Sequence, residues 1–456
     1  MELITGIYSL TMTVIRYLTL LFIILLGALV FSTCVPMAST GNTSRNSLSS
    51  SVSTEVLYDQ AFRQNVRSIR LLLPDGVLWS SAYRIGDPTP VILAFDVLEL
   101  GNTEVANDFQ VKIIHCNADW RKSNLSNIDF LYDYNEFRVT NEAFSYNTQV
   151  DFTQYRMPLP QVKLPGNYII WVYEGRDESN VVFTKRLMVY DQIMGVGAEV
   201  VRSNGAAERM TSHQIEFFVD FSSVNVLNPL EDIYVVIRQN YQWFNAIEGL
   251  KPTFVRQERQ QLEYQHFDLQ NNFYAGNEYR FFDLRTLNAL GQNVGDIRRD
   301  QVPIQAFLLP DRNRGREVYS QYEDLNGAYV VNNLDNRGDE LNADYVKTHF
   351  FLEADQKVTG NVYVVGAFNN QTLTPENRMV YDPTLKGYTA DLLLKQGFYN
   401  YQYYVSDDQP NNPYVFDGSL FEVENEYDIL VYTRPIGTRG DILAGYTQIT
   451  SQLGGR

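Results

Sequence analysis

The chain has 456 residues, of which 45% are hydrophobic, so it is long enough for several packed cores and too long for one. Its 37 Lys and Arg against 54 Asp and Glu give a formal net charge of −17, which opposes binding to nucleic acids and to anionic membrane surfaces. The aromatic content of 13% favours β-structure, because aromatic side chains pack well on a pleated surface.

The N-terminus has the features of an export signal. An apolar run at 17–31 follows Arg16 and ends in small polar residues, which is typical of a secretory signal peptide over residues 1–34. Met12 is an alternative start to Met1, because it shortens the region before the apolar run. The Ser/Thr/Asn-rich residues that follow predict a linker over 35–60. We therefore expect an exported protein.

Cys34 closes the apolar run and is a candidate for lipidation, as in bacterial lipoproteins. Thr33 before it is a poor match to the small residue usual at such a cleavage site, so ordinary cleavage near 37–39 stays open. Either outcome leaves Cys116 as the sole cysteine of the mature body, which excludes an internal disulfide.

Beyond residue 61 the pattern is a series of short alternating runs separated by turn signals, with no long amphipathic helix. This predicts an all-β protein of three consecutive immunoglobulin-like β-sandwich domains, over residues 61–195, 196–340 and 341–456. The strand candidates include 66–73, 91–98, 109–114, 168–173, 181–190, 214–221, 233–239, 278–284, 347–352, 361–366, 387–394, 398–405 and 427–433.

A faint internal repeat supports these domain boundaries. Turn glycines Gly166, Gly276 and Gly397 each precede a tyrosine that opens an aromatic-rich strand, at spacings of about one sandwich domain. The glycine admits the positive φ of a tight turn, and the tyrosine can cover the sandwich edge while its hydroxyl bonds nearby backbone.

The stretch 109–123 concentrates the residue types that catalysis uses. Alternation along a strand places His115 and Cys116 on opposite faces, so they cannot form a base and nucleophile pair while the strand continues. Asn117 and Asp119 predict a turn, with Trp120 packing back onto the domain. We interpret this stretch as a structural corner, with a partner-contact surface as the alternative and a catalytic cysteine as a third hypothesis.

Other signs of chemistry are weak. The four histidines are widely separated in the sequence and have no local ligand partners, and no phosphate loop or nucleophile elbow occurs. We expect no enzymatic activity, no metal, no cofactor and no small-molecule substrate. Two aromatic segments, 239–245 with Trp243 and Phe244, and 399–404, are interpreted as half-buried strands, with protein or glycan contact as alternatives.

Five motifs in order carry a family resemblance: HCNADW (115–120), LPGNYIIWVYE (164–174), IRQNYQWFNAI (237–247), NNFYAGNEYRFFDLR (271–285) and RPIGTRGDILAGY (434–446). On these motifs the chain resembles the plug proteins of the type IX secretion system of Gram-negative bacteria. The resemblance implies a non-enzymatic periplasmic protein that binds the large outer-membrane translocon barrel and closes its periplasmic opening. Membrane association would then come through that partner or through a lipid anchor.

The last third has a second likeness, to early-set immunoglobulin-like domains related to glycogen-binding modules, through 362–370, 386–392 and 397–401. The glycan-binding members usually carry a tryptophan where this chain has Gln371, so the resemblance implies a retained fold without the sugar platform. A glycan-binding surface or periplasmic lipoprotein is the alternative function, motivated by Cys34 and the aromatic segments. A thiol enzyme using Cys116 is the third.

Overall fold

The computed structural model describes residues 55–99, 108–407 and 412–451. It is all-β, with 45% strand and 6% helix, as predicted. The signal peptide, the Met12 start and Cys34 lie outside the described residues. The end of the predicted linker is ordered, because Val56 bridges to Arg121 and a strand already begins at Gln60. Within the described residues no helix is long and apolar enough to cross a membrane.

The elements follow in chain order. The first eleven strands are β1 (Gln60–Ala61), β2 (Val66–Leu73), β3 (Gly76–Val77), β4 (Ala82–Arg84), β5 (Ile92–Leu98), β6 (Phe109–Cys116), β7 (Phe137–Arg138), β8 (Asn141–Phe144), β9 (Phe152–Pro158), β10 (Gly166–Glu174) and β11 (Val181–Tyr190). Next come β12 (Gly195–Arg202), β13 (Ser212–Asp220), β14 (Ile233–Gln239), β15 (Ile247–Glu248), β16 (Phe254–Arg256), β17 (Gln261–Tyr264), β18 (Asn272–Tyr274), β19 (Arg280–Asp283), β20 (Val294–Arg298) and β21 (Ile304–Leu308). The last are β22 (Tyr329–Val331), β23 (Tyr345–Glu353), β24 (Asn361–Val365), β25 (Val380–Asp382), β26 (Gly387–Lys395), β27 (Gly397–Ser406), β28 (Glu426–Thr433) and β29 (Ile442–Thr450). The described residues also contain two short α-helices, α1 (Asn127–Phe130) and α2 (Pro229–Asp232). Five 3-10 helices of three residues each lie at Glu208–Met210, Gln257–Arg259, Leu334–Asn336, Glu340–Asn342 and Ala367–Asn369.

The first core lies between two sheets formed by β1 to β11. One sheet has the order β3-β2-β5-β9-β8, and the other has the order β1-β11-β10-β6-β7, with β4 paired to β11. Phe95 of the first sheet is fully buried and contacts the rings of Phe109 and Phe183 on the facing sheet, at centroid distances of 5.4 and 5.0 Å. The inward residues of both sheets thus interdigitate, as the alternation predicted.

The second core lies between the sheets β12-β13-β17-β16, with β18 paired to β13, and β15-β14-β28-β29. Phe217 stacks on Tyr264 at 4.2 Å in one sheet, and Val235 and Ile429 face them from the other. The third core lies between β19-β27-β22, with β24 paired to β27, and β20-β21-β23-β26-β25.

The sheets do not follow the domain boundary predicted near residue 340. The C-terminal strand β28 pairs with β14 along its whole length, so residues 426–450 complete the second core instead of the third. The third core already begins at β19, well before that boundary, and its strands lie in sequence between the two parts of the second core. Alternation locates a strand and its buried face, whereas the partner strand is set by contacts between segments far apart in the chain.

The glycine and tyrosine repeat shows its predicted geometry only in part. Gly166 and Gly276 have the positive φ, whereas Gly397 does not, and the tyrosine hydroxyl bonds nearby backbone at two of the three positions. The hydroxyls of Tyr168 and Tyr399 each donate to the backbone carbonyl four residues upstream, at Leu164 and Lys395. The hydroxyl of Tyr279 differs, because it accepts hydrogen bonds from side-chain amides of the second core. The middle repeat therefore joins two cores instead of closing one edge.

Candidate functional site

The corner at 115–120 begins where β6 ends, and the strand separates its two reactive side chains. His115 packs in the first core, with ring contacts to Phe130 and Tyr168, and its Nδ1 lies 2.9 Å from Oγ of Ser123. Cys116 is on the other face, in the apolar cluster shared with the second core. The two side chains thus face different cores, in keeping with the predicted alternation.

Burial suppresses the chemistry of both groups. It lowers the pKa of His115 to about 4 and raises the pKa of the Cys116 thiol to about 12. At neutral pH the histidine is therefore neutral and the cysteine is a protonated thiol, the form that does not act as a nucleophile. Among the described residues no group of three His, Cys, Asp or Glu side chains could hold a metal ion.

The turn after β6 is closed by backbone and side-chain hydrogen bonds. The Asn117 amide donates to the Arg121 carbonyl at 2.8 Å, and the Trp120 amide donates to the Asn117 carbonyl at 3.0 Å. Asp119 accepts from the Arg121 amide at 3.1 Å and forms a half-exposed ion pair with the same arginine. Trp120 adopts the left-handed φ of +60°, which is uncommon for a residue other than glycine, and its side chain is buried.

The corner is joined to the C-terminal motif 434–446. Asn117 Oδ1 accepts from the Asp441 amide at 3.2 Å, and Asp441 Oδ2 accepts from the Ala118 amide at 3.0 Å. The other oxygen of Asp441 accepts from Arg434 at 2.8 Å. Two motifs that carry the family resemblance, one in the first core and one near the end of the chain, thus form one structural unit.

The corner forms part of an interface that we call the tryptophan seam, between the first and second cores. The Arg186 guanidinium lies 4.3 Å from the Trp120 ring and 4.7 Å from the Trp243 ring, and the two indoles meet edge to face at 5.3 Å. These are cation–π distances, and most of the arrangement is desolvated. Its other buried members are Ala82, Cys116, Ala118, Ile169, Met188, Val236, Leu430, Tyr432 and Leu443.

A buried ion pair completes the second-core side of the tryptophan seam. Arg238 makes a two-pronged contact with Asp428, with both side chains at most 1% exposed. The same guanidinium lies 4.6 Å from the Trp243 ring and donates to the Ser80 carbonyl at 3.0 Å. Phe244 contacts Tyr404 of the third core at 4.4 Å, so this aromatic segment touches all three cores.

A second interface, which we call the ionic seam, joins the first core to the third. Lys395 donates to Asp96 at 2.6 Å, with both side chains fully buried, and the Tyr345 hydroxyl donates to the same carboxylate at 2.7 Å. Arg70 makes two hydrogen bonds to Glu340, at 3.1 and 2.8 Å. Burial lowers the pKa of Lys395, but Asp96 opposes this effect.

The charges of Arg70 and Glu340 support each other. Burial opposes ionisation of Glu340, yet the hydrogen bonds and charge of Arg70 hold its pKa at about 2. Sequence reasoning missed the ionic seam. Its signal was an acidic residue at 96 inside the otherwise apolar strand β5, because such a residue needs a partner when buried.

Gln371, at the position of the missing sugar platform, is buried and faces another part of the same chain. Its side-chain amide donates to the Asn240 carbonyl at 2.7 Å. The neighbouring Asn370 accepts from Lys185 of the first core at 2.8 Å. A sugar ring cannot stack at this place, because the second core occupies it. A cavity of about 50 Å³ lies beside it, where the three cores meet.

Comparison with known proteins gives a family match and a similarity to solved structures. Residues 66–191 match the family model described as "Type 9 secretion system plug protein 1st domain". The structure is similar to the crystal structure of a hypothetical protein from Parabacteroides merdae ATCC 43184, with a TM-score of 0.81 and 26% identity over 87% of this chain and 100% of that chain. No curated protein matches the sequence. The family match covers the first core and contains two of the five motifs that carry the resemblance, at 115–120 and 164–174.

Proposed function

We propose that this chain, a member of the type IX secretion system plug family by the match of its residues 66–191, is a non-enzymatic periplasmic plug. It binds the large outer-membrane translocon barrel and seals the periplasmic opening of that barrel. The family match is the observation that carries the proposal. The relation to the hypothetical protein from Parabacteroides merdae concerns the fold and supports no particular partner.

The packing of the three cores suits this role. A plug has to hold one shape against a wide opening, and bodies connected by flexible linkers do so poorly. Here the tryptophan seam fixes the first core to the second, and the ionic seam fixes the first to the third. Breaking either seam would expose buried charges or aromatic surface to water. We therefore infer that the plug acts as one rigid body.

The local chemistry is consistent with a role without catalysis. Cys116 is a buried protonated thiol, and His115 is buried in a different core. The plug-domain family is not known as enzymatic. Opening of the barrel then requires a state of the translocon that binds the plug less well, since a partner shifts an equilibrium only through differential affinity.

Export to the periplasm is part of the proposed role and is supported by the signal peptide predicted over residues 1–34, with Cys34 as the candidate lipid anchor. The structure gives less support to the glycan-binding alternative than the sequence alone did. The sugar-platform position holds the buried Gln371, and Trp243 lies in the tryptophan seam between two cores.

Deletion of the gene tests sealing. An unplugged barrel should admit hydrophilic antibiotics that the outer membrane normally excludes, so we expect the deletion strain to take them up faster. Expression of the wild-type chain, or of the Cys116→Ala variant, should restore the barrier. An unchanged barrier in the deletion strain, in cells that contain the translocon barrel, would exclude the sealing function. Restoration by the wild type alone would support the thiol enzyme instead.

A further inference from the structure

The segment 127–136, which we call the aromatic loop, connects β6 to β7 and exposes three large apolar side chains. Ile128, Tyr132 and Tyr134 are 76%, 67% and 80% exposed. The three residues lie within seven positions of one another, and exposed large apolar side chains are seldom grouped so closely, because such side chains usually pack inside the protein. The aromatic loop also lies within residues 66–191, the part that matches the family model.

The loop is held rigidly beneath these exposed side chains. Phe130 and Leu131 are buried in the first core. The buried Asn135 side chain bonds both the amide and the carbonyl of Ile113 in β6, each at 2.8 Å. The Lys163 amide donates to the Phe130 carbonyl at 2.8 Å. The exposed side chains therefore sit on a backbone fixed at both ends and in the middle.

The edges of the loop are fixed as well. Asp129 accepts hydrogen bonds from both the backbone and the hydroxyl of Ser126, and it pairs with Arg439 at 3.0 Å. Arg439 belongs to the C-terminal motif 434–446, where Ile436 is a further exposed apolar residue. The Lys163 ammonium lies 5.1 Å from the Tyr132 ring. The exposed side chains of the loop thus stand on a segment whose edges are held by hydrogen bonds and an ion pair.

A rigid loop that presents aromatic side chains is well suited to docking on a protein. Tyrosines concentrate binding energy in interfaces, and a fixed backbone loses little conformational entropy on binding. The charges around the loop select the partner. The basic side chains near the loop are engaged, because Arg439 pairs with Asp129, Arg138 pairs with Asp108, and the Lys163 ammonium donates to the Ile128 carbonyl. Asp133 and Glu136 are exposed beside the tyrosines, and the whole chain carries −17. Both features oppose anionic lipid headgroups and favour a surface with basic residues.

We propose that the aromatic loop docks Ile128, Tyr132 and Tyr134 into an apolar pocket rimmed by Lys or Arg on the periplasmic rim of the translocon barrel. This inference rests on the proposed function and assigns the contact surface to one face of the first core. The contact carries most of the affinity of the plug for the barrel.

The test compares capture of the detergent-solubilised translocon complex by three tagged full-length proteins. They are the wild type, the loop variant Ile128→Ser/Tyr132→Ser/Tyr134→Ser, and a control variant with equally exposed apolar residues, Leu227→Ser/Phe267→Ser/Val318→Ser. We expect the loop variant to bind the barrel at least ~30-fold more weakly, as for loss of one interface hot spot. The control variant should bind like the wild type. Both variants should keep the melting temperature of the wild type, because the changed side chains contribute little to the cores.

Each outcome has a distinct meaning. Equal capture by the loop variant and the wild type would overturn the docking assignment and leave the proposed function intact. Failure of the wild type to capture any barrel would overturn the proposed function itself. Equal weakening in the control variant would show a nonspecific effect of surface apolar residues and overturn the assignment. Binding to vesicles of outer-membrane phospholipids is measured for the same three proteins. If the loop variant lost vesicle binding and kept barrel binding, the docking partner of the aromatic loop would be a lipid surface and not the barrel.

Discussion

Replacement of Lys395 by Met tests whether the ionic seam holds the first and third cores together. The ammonium and the Asp96 carboxylate are fully buried at 2.6 Å, so the variant leaves a carboxylate in the interior without its cation. Removing one partner of a buried pair typically costs about 3–5 kcal/mol, because the remaining charge is uncompensated. We expect the free energy of unfolding to fall by about this amount.

The double variant Asp96→Leu/Lys395→Met separates charge compensation from packing. Tyr345 keeps a hydroxyl partner in Ser68 at 2.8 Å, so we expect the double variant to recover most of the lost stability. Lys347→Met is the matched control, since its ion pair with Asp391 is exposed and worth at most about 1 kcal/mol.

Urea unfolding, followed by circular dichroism, gives the free energy of unfolding of all three variants. Their urea midpoints can be compared directly when the free energy depends on urea concentration with the same slope. A loss below about 1 kcal/mol in Lys395→Met would refute the reasoning, since a buried unpaired charge costs more than this. A double variant as unstable as the single variant would also refute it, because the loss would then come from packing instead of the unpaired charge.

Three further predictions concern the corner and the cores. Burial holds the pKa values of His115 and His213 at about 4, below the ordinary 6.5. The unfolded chain therefore binds protons on these histidines at a higher pH than the folded protein does. Their contribution to the free energy of unfolding is complete above pH 6.5 and is lost as the pH falls towards 4, by up to about 3 kcal/mol each. The melting temperature should thus fall over this range, and the fall should be smaller in His213→Gln. Cys116 should resist alkylation by iodoacetamide at about neutral pH in the folded protein and should react fully in urea, as measured by intact mass. Rapid reaction of the folded protein would contradict its burial. Trp120→Ala should lower the free energy of unfolding by about 3–5 kcal/mol, measured by urea unfolding, and a loss under about 1 kcal/mol would show that the tryptophan seam is not tightly packed.

The strands were predictable because the local pattern is strong. The predicted bounds of 66–73, 181–190 and 233–239 agree with β2, β11 and β14, where alternation or a continuous apolar run ends at clear turn residues. Strand β9 was missed, because its residues FTQYRMP include buried Thr, Gln and Tyr that do not read as an apolar face. β29 was missed for a similar reason, since ILAGYTQIT contains a glycine and several polar residues.

The arrangement of the strands was less predictable, for a physical reason. Pairing of β14 with β28 depends on matching surfaces brought together from distant parts of the chain, and no local pattern encodes that match. The same limit applied to the corner. Alternation separated His115 from Cys116 from sequence alone, but the contact of Asn117 with Asp441 and of Trp120 with Trp243 needed the fold.

The most direct test of the central claim is recovery of the native outer-membrane complex by gentle detergent extraction, with an affinity tag at the C-terminus of the chromosomally encoded protein. We expect a very large outer-membrane barrel protein to copurify with the tagged chain in a defined ratio. Recovery of the tagged chain alone, from cells in which the translocon barrel is present and intact, would contradict the claim.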